Sequence, residues 1–255
     1  MARCCAWPEG YSSRFQKTMP ISRIVEAEML DLLPKEHPQA IRSRQDLRRI
    51  NRVMAARSIL SRGIDAATRG TPPRRIVELG AGDGTLLLRL AHRHADAWSG
   101  VEAIVVDRHD LIAPATRRGF AALGWTLRVV VSDVFDWVDE PDAPPCDLLL
   151  ANLFLHHFEG RALRRLLSGI ASRSTTFVAC EPRRDVRALF SSHLVGGLGC
   201  NAVSRNDAVL SVRAGFRDKE LTALWPAARP WQTDEYPAGL FSHCFWATRS
   251  DMAMD

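Results

Sequence analysis

Lysine is almost missing from this 255-residue chain: only Lys17, Lys35 and Lys219 occur, so 31 of its 34 basic residues are arginine. The arginines are interleaved with acids, as over Arg42 to Arg57, and no block of five or six like charges marks a nucleic-acid arm. With a net charge of +5, they read as a solvated face rather than a docking surface, and no nucleic-acid partner is expected. Long apolar runs are also missing. The longest candidates lie near Val129 to Val131 and Leu148 to Leu155, far short of the 18 or so residues a membrane span needs. The N-terminus carries Arg3 and Cys4-Cys5 but no apolar stretch of signal-peptide length, so a cytoplasmic location is expected. The cysteines at 4, 5, 146, 180, 200 and 244 form no C-x-x-C pair and no Cys/His cluster at zinc spacing. Free thiols in a reducing compartment, and no bound metal, are the expectation.

What is present is the composition of a globular chain with a sizeable core, at 46% hydrophobic and 25% charged residues. Residues 1–20 mix Pro8, Gly10 and Pro20 without period and read as a lead-in segment. Over 21–70 two amphipathic helices predict an N-terminal helical cap. The first carries Ile21, Ile24, Val25, Met29, Leu32 and Leu33 and ends before Pro34; the second runs from about Gln39 to Arg62, with Gly63 as its stop. From 71 to 255 the rhythm changes to short apolar strands alternating with helices. The strands are expected over 75–80, 102–107, 126–133, 146–152 and 175–181, with helices near 84–95, 109–122, 159–172 and 184–195. A final helix near 218–224 and a strand–turn–strand over 231–248 complete the chain. The prediction is an α/β fold: a doubly wound, mostly parallel sheet with helices on both faces, closed at one edge by an antiparallel C-terminal hairpin.

Val77-Glu-Leu-Gly80-Ala-Gly82-Asp83-Gly84-Thr85 lies where the first of these strands turns into a helix, the place where open α/β sheets bind ligands. Its glycines let backbone approach a ligand closely, and the amides at the helix start face a carboxylate. The spacing is G-x-G-x-G rather than the G-x-G-x-x-G of dinucleotide sites. Glu78 and Asp83 would each repel a pyrophosphate by about 4 kcal/mol per charge pair at 4 Å and an effective dielectric of 20. A ligand bearing a cation suits the loop better.

S-adenosylmethionine meets that requirement, with an ammonium, a sulfonium and a carboxylate but no phosphate. The segment VELGAGDGT resembles the first motif of the class I S-adenosylmethionine-dependent methyltransferases, and the His156-His157 pair, Glu181-Pro182 and the helical N-terminal cap resemble the branch that modifies quinones, polyketides and phenols. The resemblance continues in order through AIVVD, ending at Asp107, RVVVSD, ending at Asp133, and CDLLLANLFLHHF. It implies a seven-stranded Rossmann-like sheet and S-adenosylmethionine as cofactor. It also implies a cofactor site of Glu78, Gly80, Ala81, Gly82, Gly84, Asp107, Arg108, Asp133, Val134 and Asn152, with Asp107 on the ribose hydroxyls, Asp133 on the adenine amino group and Val134 beside the ring. Asp107 and Asp133 could instead cap the helices that follow them, and Glu78 could be a structural acid.

Methyl transfer is an in-line displacement that gains most from holding the two reactants aligned and dry. Asn152-Leu153-Phe154-Leu155 departs from the N/D-P-P-Y/F segment of enzymes that methylate exocyclic amines of nucleic acids. His156 and His157 follow at once, and either imidazole could take a proton from a phenol or carbon acid, or serve only to stack or cap. The expected acceptor is a small aromatic, quinone or polyketide-like molecule, methylated on oxygen or carbon. Trp225, Trp231, Tyr236, Phe241, Phe245 and Trp246 could line its pocket with Phe154 and Phe158, although most are expected in the core, and His243 is expected half-buried on the last strand. The alternatives are an RNA or protein methyltransferase, a non-catalytic module that binds the cofactor, and aminopropyl transfer. The last is disfavoured because Leu153 to Phe158 holds no carboxylate.

Overall fold

The computed structural model describes residues 21–141 and 144–250, so the lead-in expected over 1–20 lies outside the described residues. Strands β1 (Arg75–Leu79), β2 (Glu102–Asp107), β3 (Thr126–Val131), β4 (Cys146–Asn152), β5 (Ser174–Pro182), β6 (Trp231–Ala238) and β7 (Ser242–Arg249) form one seven-stranded sheet in the order β3-β2-β1-β4-β5-β7-β6. Strands β1 to β5 are parallel, while β7 pairs antiparallel with both β5 and β6. The strand order reverses between β1 and β4, which opens a crevice at their carboxyl ends.

The helices are α1 (Met29–Leu32), α2 (Pro38–Val53), α3 (Ala56–Thr68), α4 (Thr85–His94), α5 (Pro114–Ala122), α6 (Val134–Asp139), α7 (Gly160–Arg173), α8 (Val186–Ser192), α9 (Ala202–Ala214) and α10 (Glu220–Leu224). Side-chain alternation along the strands sorts the core into two layers. Ile76, Val105, Leu148, Leu150 and Val178 pack against α3, α4 and α5 through Leu60, Ile64, Leu87, Leu90 and Phe120. Val77, Leu79, Leu149, Phe177 and Phe245 pack against α6, α7 and α10 through Trp137, Leu166, Ile170 and Leu221. Each large side chain so buried contributes about 1.5–3 kcal/mol.

Two expectations for the N-terminal region are corrected. The helix expected over 39–62 is two helices, because Ala55 takes a left-handed conformation (φ 54°) between α2 and α3. Gly63 does not stop the second one; it lies inside α3, where a Cβ would come within 2.8 Å of Val178 Cγ1 and 3.3 Å of Cys244 Sγ. Its bare Cα is what lets α3 lie directly on β5 and β7, so α3 is built into the sandwich.

The helix expected from Ile21 is mostly an extended strap, with helix only at α1. Its backbone bonds go to other elements instead: Ile24 N donates to Arg213 O at 3.2 Å, and Met29 N and Leu30 N to the two Asp207 oxygens at 2.9 and 3.0 Å. Arg23 adds bonds to the carbonyls of Ala214 and Phe158, at 2.8 and 2.9 Å, and lies over the Phe216 ring. Most of these partners belong to α9 or its carboxyl end, and sequence periodicity gave no sign of α9.

Candidate active site

The site is built on the crevice between β1 and β4. Gly80, Gly82 and Gly84 all have positive φ, at 62°, 55° and 66°, a region that costs other residues about 1–2 kcal/mol. The loop is tied to the neighbouring strand end: Gly80 N and Ala81 N donate to Val106 O at 2.9 and 3.3 Å, and Gly82 N to Asp107 Oδ2 at 2.9 Å. Gly80 has a second constraint, since a Cβ there would lie 2.3 Å from Phe154 Cδ2. Asp83 accepts from Thr85 N and pairs with Arg48 of α2 at 2.5 Å, so its charge is partly answered.

Glu78 shares a face of β1 with Ile76 and is buried beneath the loop, and its Oε2 has no hydrogen-bond partner. Burial, and then the nearby charges of Asp83 and Asp107, push its pKa up to about 8. It is therefore a neutral acid at pH 7, under an anionic rim. Asp107 closes β2 and also accepts from His109 N at 3.0 Å. Asp133 is the N-cap of α6, accepting from Phe135 N at 2.8 Å, and Val134 is buried behind it. Asn152, at the end of β4, donates from Nδ2 to Asn51 Oδ1 of α2 at 3.0 Å, and its own Oδ1 is buried without a partner. Arg108 turns to the strap, pairing with Asp31 of α1 at 2.9 Å.

Beyond β4, Leu153 takes φ 51° and Leu155–His157 forms a 3-10 turn. Glu181, at the end of β5 and fully buried, organises this turn by accepting from Phe154 N, Leu155 N and His156 N at 3.1, 2.9 and 3.3 Å. The same carboxylate meets His156 Nδ1 at 2.8 Å, while His156 Nε2 faces Glu28 Oε1 of the strap at 3.3 Å. Burial alone would lower the His156 pKa; the two carboxylates outweigh it and push it up to about 9. A ring in that state has no nitrogen free to take a proton. His157 is one-quarter exposed, lies tilted against His156 with ring centres 4.3 Å apart, and has Nδ1 at 3.4 Å from Asp31 Oδ2. Burial and then the charge on His156 lower its pKa.

Glu28, Asp31 and Asn51 were not anticipated. They reach the site from the strap, α1 and α2, and no local pattern marks them. Of the aromatics, Trp225 and Phe245 pack with Phe177 inside the α7 layer, and Trp246 is buried on the opposite face of the sheet. At the site end, Phe154 meets Phe158 edge-on at 5.2 Å, and Phe135 meets Phe158 likewise at 5.4 Å. His243 is not half-buried: it is 1% exposed and bound at 2.8 Å to Glu235, which also accepts from Leu221 N and Thr222 N of α10.

No protein-family model and no curated protein matches the chain. Solved structures do. The plantazolicin methyltransferase BpumL in complex with SAH is similar with a TM-score of 0.59 at 12% identity, over 84% of this chain and 91% of that one. The plantazolicin methyltransferase BamL, in complex with a triazolic desmethylPZN analog and SAH, gives 0.61 at 10% identity, over 86% and 92%. An O-methyltransferase family protein from Burkholderia thailandensis gives 0.55 at 15% identity, over 84% of this chain and 61% of that one. The sheet order, the terminal hairpin and this likeness together show a Rossmann-like methyltransferase fold. Among the described residues no helix is long and apolar enough to cross a membrane.

Proposed function

We propose that the protein is an S-adenosylmethionine-dependent methyltransferase acting on an oxygen or carbon of a small aromatic, quinone or polyketide-like acceptor. The observation that carries this reading is the row of polar side chains at or just beyond the carboxyl ends of four adjacent strands, β3, β2, β1 and β4: Asp133, Asp107, Glu78 and Asn152. Two of them keep buried oxygens without partners, Glu78 Oε2 and Asn152 Oδ1, and a ligand with hydrogen-bond donors satisfies both. Two of the similar structures hold SAH, which is further support.

In this reading Glu78 receives the amino group of the cofactor, and the backbone of Gly80, Ala81, Gly82 and Gly84 faces its carboxylate. Asp107 takes the ribose hydroxyls, Asp133 the adenine amino group, and Val134 supports the ring. Asn152 faces the methionine end, and Arg108 flanks Asp107 while braced by Asp31. The cofactor supplies an electrophilic methyl group on a sulfonium. The chain aligns the acceptor, keeps water out with Phe135, Phe154 and Phe158, and lets the acceptor proton leave. His156 is a positioning residue, locked between two carboxylates, and His157 is the imidazole of the pair that stands open to an acceptor.

Calorimetric titration with S-adenosylmethionine, SAH and NAD tests this. Binding of the first two and not of NAD is expected, weakened at least tenfold by Asp107→Ala; NAD binding alone would overturn it. If Glu78 meets the ammonium, its raised pKa falls on binding. The titration at pH 7 should then release a proton, giving a buffer-dependent enthalpy that Glu78→Gln abolishes. Transfer of a labelled methyl group to phenols and quinones, with RNA and protein pools in parallel, then separates the acceptor classes.

A further inference from the structure

Glu28, His156 and His157 bring three ligand atoms of a carboxylate and two imidazoles within 4.8 Å of one another, between the strap and the turn after β4. We infer that this cluster is a binding site for a divalent transition metal of the zinc class. The inference goes beyond the methyltransferase reading and does not depend on it.

Three features carry it. The first is the difference between the two contacts of His156. Nδ1 meets Glu181 at 2.8 Å, the length of a charge-assisted hydrogen bond, whereas Nε2 and Glu28 Oε1 stand 3.3 Å apart. Two ligands each about 2.0–2.2 Å from one tetrahedral ion lie about 3.3–3.6 Å from each other. The second is the arrangement behind the donors: a carboxylate on Nδ1 of an imidazole whose Nε2 faces the centre is the orienting pair that metal-bound histidines use. Asp31 approaches the His157 ring at 3.4 Å, and Ser211 donates to Glu28, so each donor has a support of its own. The third is enclosure. His156 is nearly fully buried and Glu28 mostly so, while His157 is one-quarter exposed and leaves a way in. Two imidazoles and a carboxylate suit zinc, cobalt or iron, whereas magnesium and calcium favour oxygen donors alone. The ion would replace the proton held between His156 and Glu28, and three protein donors leave one position for water or another oxygen.

The test is equilibrium dialysis of the metal-stripped full chain against micromolar Zn²⁺, with Co²⁺ absorption as a second signal. One ion per chain is expected, with Co²⁺ giving visible bands of low-coordinate geometry. Glu28→Gln and His157→Asn should each weaken binding at least tenfold, while His92→Asn, on the exposed face of α4, should not change it. Absence of stoichiometric Zn²⁺ binding by the unmodified protein overturns the site, as does unchanged affinity in both variants. Because the unmodified protein decides the first point, a variant that fails to fold does not shelter the inference. SAH titration without metal reports on the cofactor site alone, so the two readings fail separately.

Discussion

Glu78 shows how one side chain can set conflicting demands. Its carboxyl is buried under the glycine loop beside two other acids, so ionisation is opposed from every side. The folded protein keeps this proton up to about pH 8, whereas the unfolded chain releases it near 4.5. Between those values the folded state binds more protons than the unfolded one, so stability falls as pH rises, by up to about 1.4 kcal/mol per pH unit. Denaturant titrations at pH 5 and pH 8 should therefore show the loss, and Glu78→Gln, which cannot ionise, should remove this contribution and be the more stable protein at pH 8. A pH dependence unchanged by the substitution would show that Glu78 is not a buried neutral acid. At the same scale His156 fills a role that its identity alone does not reveal. An imidazole near an active site suggests a base, but with a carboxylate on each nitrogen it becomes a fixed support for the turn.

Among elements, the junction of α2 and α3 separates two readings of the same residues. Apolar spacing over 39–62 fits one long helix, in which Ala55→Gly would cost about 1 kcal/mol. With Ala55 at φ 54° between two helices, glycine relieves a left-handed alanine, and the same substitution should stabilise the protein by about 1 kcal/mol in chemical denaturation. The sign of that change decides which is right. Gly63 carries the complementary lesson. A glycine in a helical pattern reads as an end, yet here it marks the point where α3 presses on Val178 and Cys244. Whether a glycine ends a helix or lets it pack closely depends on what lies opposite, and the partners come from strands more than 100 residues away.

On the scale of the whole molecule, the strap over 21–28 is held by contacts with α9 and the turn after β4 rather than by bonds within itself. Arg23→Ala removes its bonds to Ala214 and Phe158 and the contact with Phe216 together. Amide exchange of Ile24, Met29 and Leu30 should then speed up by at least tenfold, while the amides of β1 and β4 keep their protection. Equal exchange in both proteins would show that the strap is held without Arg23.

The parallel strands, the glycine loop, the acid closing β2 and the acid just beyond β3 were legible in the sequence because each is a local pattern. An apolar run buried on both faces, a turn that needs positive φ, and a carboxylate at a strand end all leave their mark within a few consecutive residues. The terminal hairpin was legible for the same reason. Tertiary structure alone decided that the first amphipathic segment is a strap, since its spacing permits a helix and the bonds offered by Asp207, Arg213 and Ala214 outweigh that preference. It also decided that Glu28 faces His156 across 128 positions of chain, which no ligand-spacing rule can find. Local sequence specifies backbone conformation, because the forces that set it act over a few residues. Side chains brought together from distant segments acquire their charge state and chemistry only when burial removes water and supplies their partners.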